Sequence, residues 1–140
     1  MQRYIADSKI AFEECTRKLD FYRLPKILVL QLKRFSFGKY AKHKINTKVI
    51  VEKDLNLSKF LSHSSHSNPS KGYQLTSCDY QLVGIVHHSG DIDFGHYTAE
   101  CLNPCDGRWY NYNDSHVGEV SMEKFQSNTP YLLFYARNDI

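Results

Sequence analysis

Cysteine is scarce in this 140-residue chain, and none of its four copies forms a CxxC pair. Cys15, Cys78, Cys101 and Cys105 are irregularly spaced, which suits reduced thiols and argues against a disulfide framework or a zinc-finger pair. Long apolar runs are missing too: none approaches the roughly 20 residues that span a bilayer. The opening MQRYIADSKIAFEEC has no apolar segment behind a basic start, so no secretory leader is read there. Like-charge blocks are absent, since 18 basic and 15 acidic residues are scattered to a net charge of +3. Nucleic acid and membrane are therefore not expected partners. No glycine-rich phosphate loop and no internal repeat occurs. The expectation is a soluble protein of the cytosol or nucleus, without metal or cofactor.

What is present is a chain with 41% hydrophobic and 24% charged residues, enough for one core in one domain or part of one. The first 23 residues are mixed, and IADSKIAFEECTRKL has the spacing of an amphipathic turn or two of helix. Pro25 closes off any helix, and the apolar run from Ile27 to Leu32 reads as a central strand buried on both faces. Residues 39–48 are basic and turn-like, and residues 49–51 form a short strand. Asp54 is placed to cap a short helix carrying Leu57, Phe60 and Leu61. Residues 62–72, SHSSHSNPSKG, hold nothing core-forming and read as a mobile loop.

Beyond that loop YQLVGIV, HYTAECL, RWYNYND and YLLFYAR are rich in β-branched and aromatic residues between turn-formers, which predicts an antiparallel sheet. Ser121 is placed to cap a single helical turn at SMEKF. The fold class is therefore α+β with the sheet dominant.

The turn NPCDG makes a hairpin of residues 95–114, in which paired residue numbers sum to 209 or 210. A sum of 210 sets His96 opposite Asp114. A sum of 209 sets it opposite Asn113 and gathers Tyr97, Ala99 and Cys101 with Tyr112 and Tyr110 on one apolar face. The second register is preferred because it separates the faces. A histidine with one ring nitrogen held by a carboxamide has a fixed tautomer, and its other nitrogen is presented as a base. An exposed His–Asn pair is ordinarily just polar surface, so spacing alone does not decide between surface and catalysis.

Three blocks carry a resemblance: LPKILVLQLKRF at residues 24–35, YQLVGIVHHSGDIDFGHYTA at 80–99, and RWYNYNDSHV followed by PYLLFY within 108–135. Their order and their HSG…GHYTA and W-Y-x-Y-N-D-S-x-V patterns resemble the ubiquitin-specific proteases, papain-like cysteine hydrolases that cleave after the C-terminal glycine of ubiquitin. The resemblance implies that residues 1–140 are the C-terminal part of such a catalytic domain, comprising the antiparallel-sheet-rich palm. It makes His96 the base, Asn113 its orienter and Asp114 an adjacent residue that assists in some members. Residues 89–95 resemble a blocking loop, with Ser89, Gly90, Gly95 and Tyr97 lining a narrow cleft for a Gly-Gly tail. Residues 62–72 lie where a second variable loop is found. Phe94 departs from the glycine common there.

The family's G-N-T-C box, which carries the nucleophile, is absent. None of the four cysteines follows a small-residue turn before a helix start, where a thiol pKa falls. His63 and His66 with Cys101 and Cys105 make a weak metal set, and no zinc is expected. The implied partners are ubiquitin and ubiquitinated proteins, with self-association through a sheet surface left exposed. The alternative is a catalytically inactive, ubiquitin-binding scaffold or truncated product. Lys33 and Arg34 are read as snorkelling at a strand end, Trp109 as packing beside Tyr110's strand neighbours or the blocking loop, and His87 and His88 as structural.

Overall fold

A computed structural model describes residues 2–6, 11–15, 17–38, 42–62, 77–121 and 125–140. Among the described residues thirteen strands are seen in the order β1 (Gln2–Ala6), β2 (Ala11–Cys15), β3 (Ile27–Gln31), β4 (Phe35–Phe37), β5 (Lys42–Lys44), β6 (Val49–Val51), β7 (Asp54–Asn56), β8 (Asp79–Gly90), β9 (Gly95–Leu102), β10 (Trp109–Asn113), β11 (His116–Val120), β12 (Phe125–Ser127) and β13 (Pro130–Arg137). The principal sheet is antiparallel and runs β11-β10-β9-β8-β13-β3, with β7 also paired to β8. Pairs β1/β2, β4/β5 and β6/β12 stand outside it.

The sheet owes its cohesion to β8, whose twelve residues pair with β13 along one edge and with β7 and then β9 along the other. Between Leu82 and Gly84 the register against β13 slips by one residue, Tyr135 facing Leu82 and Phe134 facing Gly84. Such a bulge reverses the alternation of side chains. Tyr80 and Leu82 before it, and Ile85, His87 and Ser89 after it, thus share the front face. Leu28, Leu133 and Tyr135 join them, and Leu24, Val51, Leu57 and Leu61 close the core over this face. Tyr80, Leu24, Leu82 and Ile85 are essentially fully buried. Buried hydroxyls need partners, and here they find carbonyls: Tyr80 donates to Pro25 and Tyr135 to Glu52.

Several sequence expectations are corrected. Residues 2–6 and 11–15 form a hairpin from Gln2↔Cys15 to Ala6↔Ala11, where helical spacing had been read. Tyr, Ile and Phe favour pleated backbone, and strand pairing wins over a weak helical period. β3 lies at the end of the sheet's strand order with one face exposed: Leu28 is buried while Ile27 and Val29 are each 48% exposed. A short apolar run does not by itself distinguish a central strand from an edge strand. Asp54 begins strand β7, not a helix, and only a 3-10 turn, Ser58–Phe60, follows. Its local bond comes from Asn56, whose Oδ1 accepts from the Ser58 N–H at 3.0 Å. Phe125 belongs to β12, so SMEKF does not end as a helical turn, and residues 122–124 lie outside the described residues, as do 63–72 of the expected loop.

Candidate active site

The hairpin of β9 and β10 pairs Leu102 with Trp109 and Ala99 with Tyr112, so paired numbers sum to 211, neither 209 nor 210. The shift comes from the turn. Gly107 sits at φ +69° and donates to the Asn103 carbonyl, while the Asn103 N–H donates to the Arg108 carbonyl. The turn therefore runs to Arg108, and the second arm is paired two residues later than in the preferred 209 register. An odd sum keeps the predicted division of faces: Tyr97, Ala99 and Cys101 lie with Tyr110 and Tyr112 on the back, and His96 lies on the front. Continued one step, this register sets Asn113 level with Thr98, so it meets His96 on the diagonal rather than directly opposite.

That diagonal is bridged by a hydrogen bond. The Nε2–H of His96 donates to Asn113 Oδ1 at 2.7 Å. A carboxamide oxygen only accepts, so the proton belongs on Nε2 and the lone pair on Nδ1. Asp114 Oδ2 stands 4.0 Å from the same Nε2, at the edge of ion-pair range, with its side chain 79% exposed. Asp114 occupies the left-handed region at φ +51°, the first position of a two-residue turn between β10 and β11. Aspartate tolerates that conformation better than most residues. The turn directs its carboxylate outward while Asn113, the last residue of β10, keeps a strand orientation toward the ring.

Ser89 pairs with His96, Gly90 with Gly95, and His88 with Tyr97, so the four residues expected to line the cleft lie beside His96 in the sheet. The intervening loop, residues 91–94, is closed by the Asp91 N–H to the Phe94 carbonyl at 2.7 Å. Phe94 projects from it, 85% exposed. Gly90 is obligatory there, with φ +97° and the Phe94 oxygen 2.5 Å from where a Cβ would lie. Gly95 is obligatory for another reason: its missing Cβ would lie 2.0 Å from His88 Nε2.

The residues that sequence reading undervalued lie around this loop. His88 is buried on the back face among Phe35, Tyr97 and Tyr131. Burial, and then the charge of Lys44, push its pKa down. Lys44 donates to the carbonyls of both His88 and Gly90, each at 2.8 Å. Arg34 does not snorkel. It is 3% exposed and its guanidinium holds the carbonyls of Pro130, Ile45 and Thr47. Its partners come from distant segments, so no local pattern announces the role. His87, on the front face, is structural as expected, bridging Thr129 Oγ1 at 2.9 Å and Glu100 Oε2 at 3.2 Å. Trp109 packs on the core at the far end of the hairpin from the loop.

No thiol is found beside His96 among the described residues. Cys101 is five positions along β9, about 17 Å at strand rise, on the opposite face, and burial pushes its thiol pKa up. Cys105 lies in the turn at the other end, and Cys78 precedes β8. Nor is any group of three His, Cys, Asp or Glu side chains gathered for a metal among the described residues.

The ubiquitin carboxyl-terminal hydrolase family model matches residues 3–135. The chain belongs to that family. Over 128 residues it is 40% identical to human ubiquitin carboxyl-terminal hydrolase 15, covering 91% of this chain and 12% of that protein. Over 125 residues it is 39% identical to ubiquitin carboxyl-terminal hydrolase 5 of Arabidopsis thaliana, covering 89% of this chain and 13% of that one. The chain thus spans about an eighth of the length of these relatives. Its fold matches Ubp8 in the SAGA DUB module Ubp8/Sgf11/Sus1/Sgf73 bound to monoubiquitin, with a TM-score of 0.77 at 29% identity, over 98% of this chain and 29% of that one. The same module bound to ubiquitin aldehyde gives 0.77 at 29% identity, over 98% and 30%. This family member is therefore an antiparallel-sheet-rich portion of the ubiquitin-specific protease fold.

Proposed function

We propose that this chain supplies the general base and its orienter for thiol-dependent hydrolysis of the bond after the C-terminal glycine of ubiquitin. The observation that carries the reading is the 2.7 Å bond from His96 Nε2 to Asn113 Oδ1. With that proton fixed, Nδ1 is the atom that takes a thiol proton. The thiolate attacks the carbonyl carbon of the terminal glycine, the protonated imidazole returns the proton to the leaving amine, and water, deprotonated by the same ring, releases the acyl group. In this reading the nucleophile is a cysteine supplied from elsewhere, since none stands beside His96 among the described residues. The family membership and the ubiquitin held by the matching module support ubiquitin as the substrate.

Purified alone, the chain is expected to leave a fluorogenic ubiquitin C-terminal substrate intact. Fused behind the cysteine-bearing half of a relative's catalytic domain, it is expected to restore turnover. His96→Ala in that fusion should cost on the order of 10²- to 10⁴-fold in kcat, with ubiquitin binding nearly unchanged. Asn113→Ala should cost less, because a misoriented ring still samples the productive pose. Asp114→Ala should cost least, given its exposure and its 4.0 Å separation. Activity of the isolated chain, or a fusion indifferent to His96, would overturn the proposal.

A second reading is favoured by one observation, the lack of a described cysteine beside His96. In it the chain binds ubiquitin without cleaving it. Ubiquitin binding by the isolated chain, with an inert fusion, would select that reading.

A further inference from the structure

His96 owes its aim to its neighbours as well as to Asn113. Gly95 and Tyr97 flank it in sequence, and both rest on one buried side chain of the opposite face, His88. The His88 ring occupies the space a Gly95 side chain would need, with Nε2 2.0 Å from that Cβ position. It meets the Tyr97 ring at a centroid distance of 4.7 Å, and Phe35 packs edge-on behind it at 5.4 Å. Nδ1 of His88 is buried without a hydrogen-bond partner, so shape, more than hydrogen bonding, seats the ring. The backbone of His88 is held at both ends: its N–H donates to the Thr129 carbonyl at 2.8 Å, and its carbonyl accepts from Lys44. The same ammonium grips the Gly90 carbonyl, fastening the start of the loop that leads to Gly95.

We infer that His88 and Lys44 are positioning residues for His96: the ring supports the backbone on both sides of the base, and the lysine fastens the strand and loop that present it. The inference rests on the proposed role of His96. Neither residue lies on the face that presents the His96 ring. They act through Gly95, Tyr97 and Gly90, so their loss should change how long the base holds its tautomer and direction.

The test reads the imidazole directly in the isolated 140-residue chain, by long-range ¹⁵N–¹H correlation of labelled histidines. Wild type is expected to show His96 as a single Nε2-protonated tautomer. His88→Ala, Gly95→Ala and Lys44→Met should each give a mixed or exchange-broadened His96 ring, and Lys44→Met should speed amide exchange in residues 89–95 by about tenfold or more. His88→Phe should keep the wild-type signature, since it refills the same space. The decisive arm is Gly95→Ala with His88→Ala: the added methyl enters the vacated space, so the double variant should lie nearer wild type than Gly95→Ala alone.

An unchanged His96 signature in His88→Ala, or equal damage from Gly95→Ala with and without the His88 ring, overturns the inference. Should a Gly95 variant not fold, Lys44→Met decides, and an unchanged tautomer there overturns it equally. Because this readout needs no turnover, an inert fusion with the tautomer shifts as expected counts against the proposed function alone. An active fusion with no tautomer shift counts against His88 and Lys44 alone.

Discussion

At the scale of single residues, the protonation of His88 couples the site to stability. Its folded pKa lies below the ordinary 6.5 because burial, and then Lys44, disfavour the imidazolium. The charge that bears on the ring is that of Lys44, on which Arg34 and Asp91 act in turn, and the packing faces are Phe35, Tyr97 and Tyr131. Below pH 6.5 the unfolded chain takes up a proton that the folded chain resists. The contribution of this group is therefore complete above about pH 6.5 and is lost as pH falls toward the lowered folded value, with a slope of at most about 1.4 kcal/mol per pH unit. His88→Phe should flatten that acid limb, as followed by urea midpoints between about pH 7 and 5; an identical limb in both proteins would show that the ring is not protected. The pairing of His96 with Asn113 was legible from parity alone, because any odd register puts both on one face. The roles of Lys44 and Arg34 were not, because each depends on groups 11 to 96 positions away in the chain, and that of His88 was not, because its burial depends on Phe35 and Tyr131 from distant strands.

At the scale of elements, the four strands from β8 to β13 that carry aromatic and β-branched runs were legible, as was the short strand β6, while register, β11 and the other small strands were not. A turn's sequence shows that the chain reverses, yet the side on which its glycine falls moves every pair by one or two. Gly107 inside the turn made that difference here. The two left-handed glycines of this region also separate two kinds of demand. At Gly107 nothing lies within 4 Å of an added Cβ, so Gly107→Ala meets only the left-handed penalty, about 1–2 kcal/mol. At Gly90 the same substitution also drives a methyl against the Phe94 carbonyl at 2.5 Å, and its cost should exceed that of Gly107→Ala by roughly 1–3 kcal/mol. Chemical denaturation of the two variants side by side checks the order. Equal losses would mean that the loop of residues 91–94 yields without resistance.

At the scale of the whole molecule, the back of the sheet is the conspicuous surface. Ile27 and Val29 on β3, Tyr97 on β9, Tyr112 on β10 and Val117 on β11 lie on it between 41% and 60% exposed. Apolar side chains spread over one sheet face favour burial against another surface. The isolated chain is expected to self-associate through this face, with a weight-average mass that rises with concentration in sedimentation velocity and falls back when Val29 and Val117 are replaced by glutamate. A monomer at every concentration would refute it.

The slipped residue in β8 has an arithmetic of its own. A strand is a two-letter code, front and back in turn, and the slip between Leu82 and Gly84 inverts that code once, at the seam where β7 gives way to β9 as the neighbouring strand. Upstream, even numbers face the core; downstream, odd numbers do. Were the bulge straightened with every residue kept, a single parity would run along all twelve positions, turning the imidazole that supports Gly95 onto the front and His87 away from Glu100. The core half would remain correct and the site half would be reversed, so the one extra residue at the seam is what lets both halves of this strand face as they do.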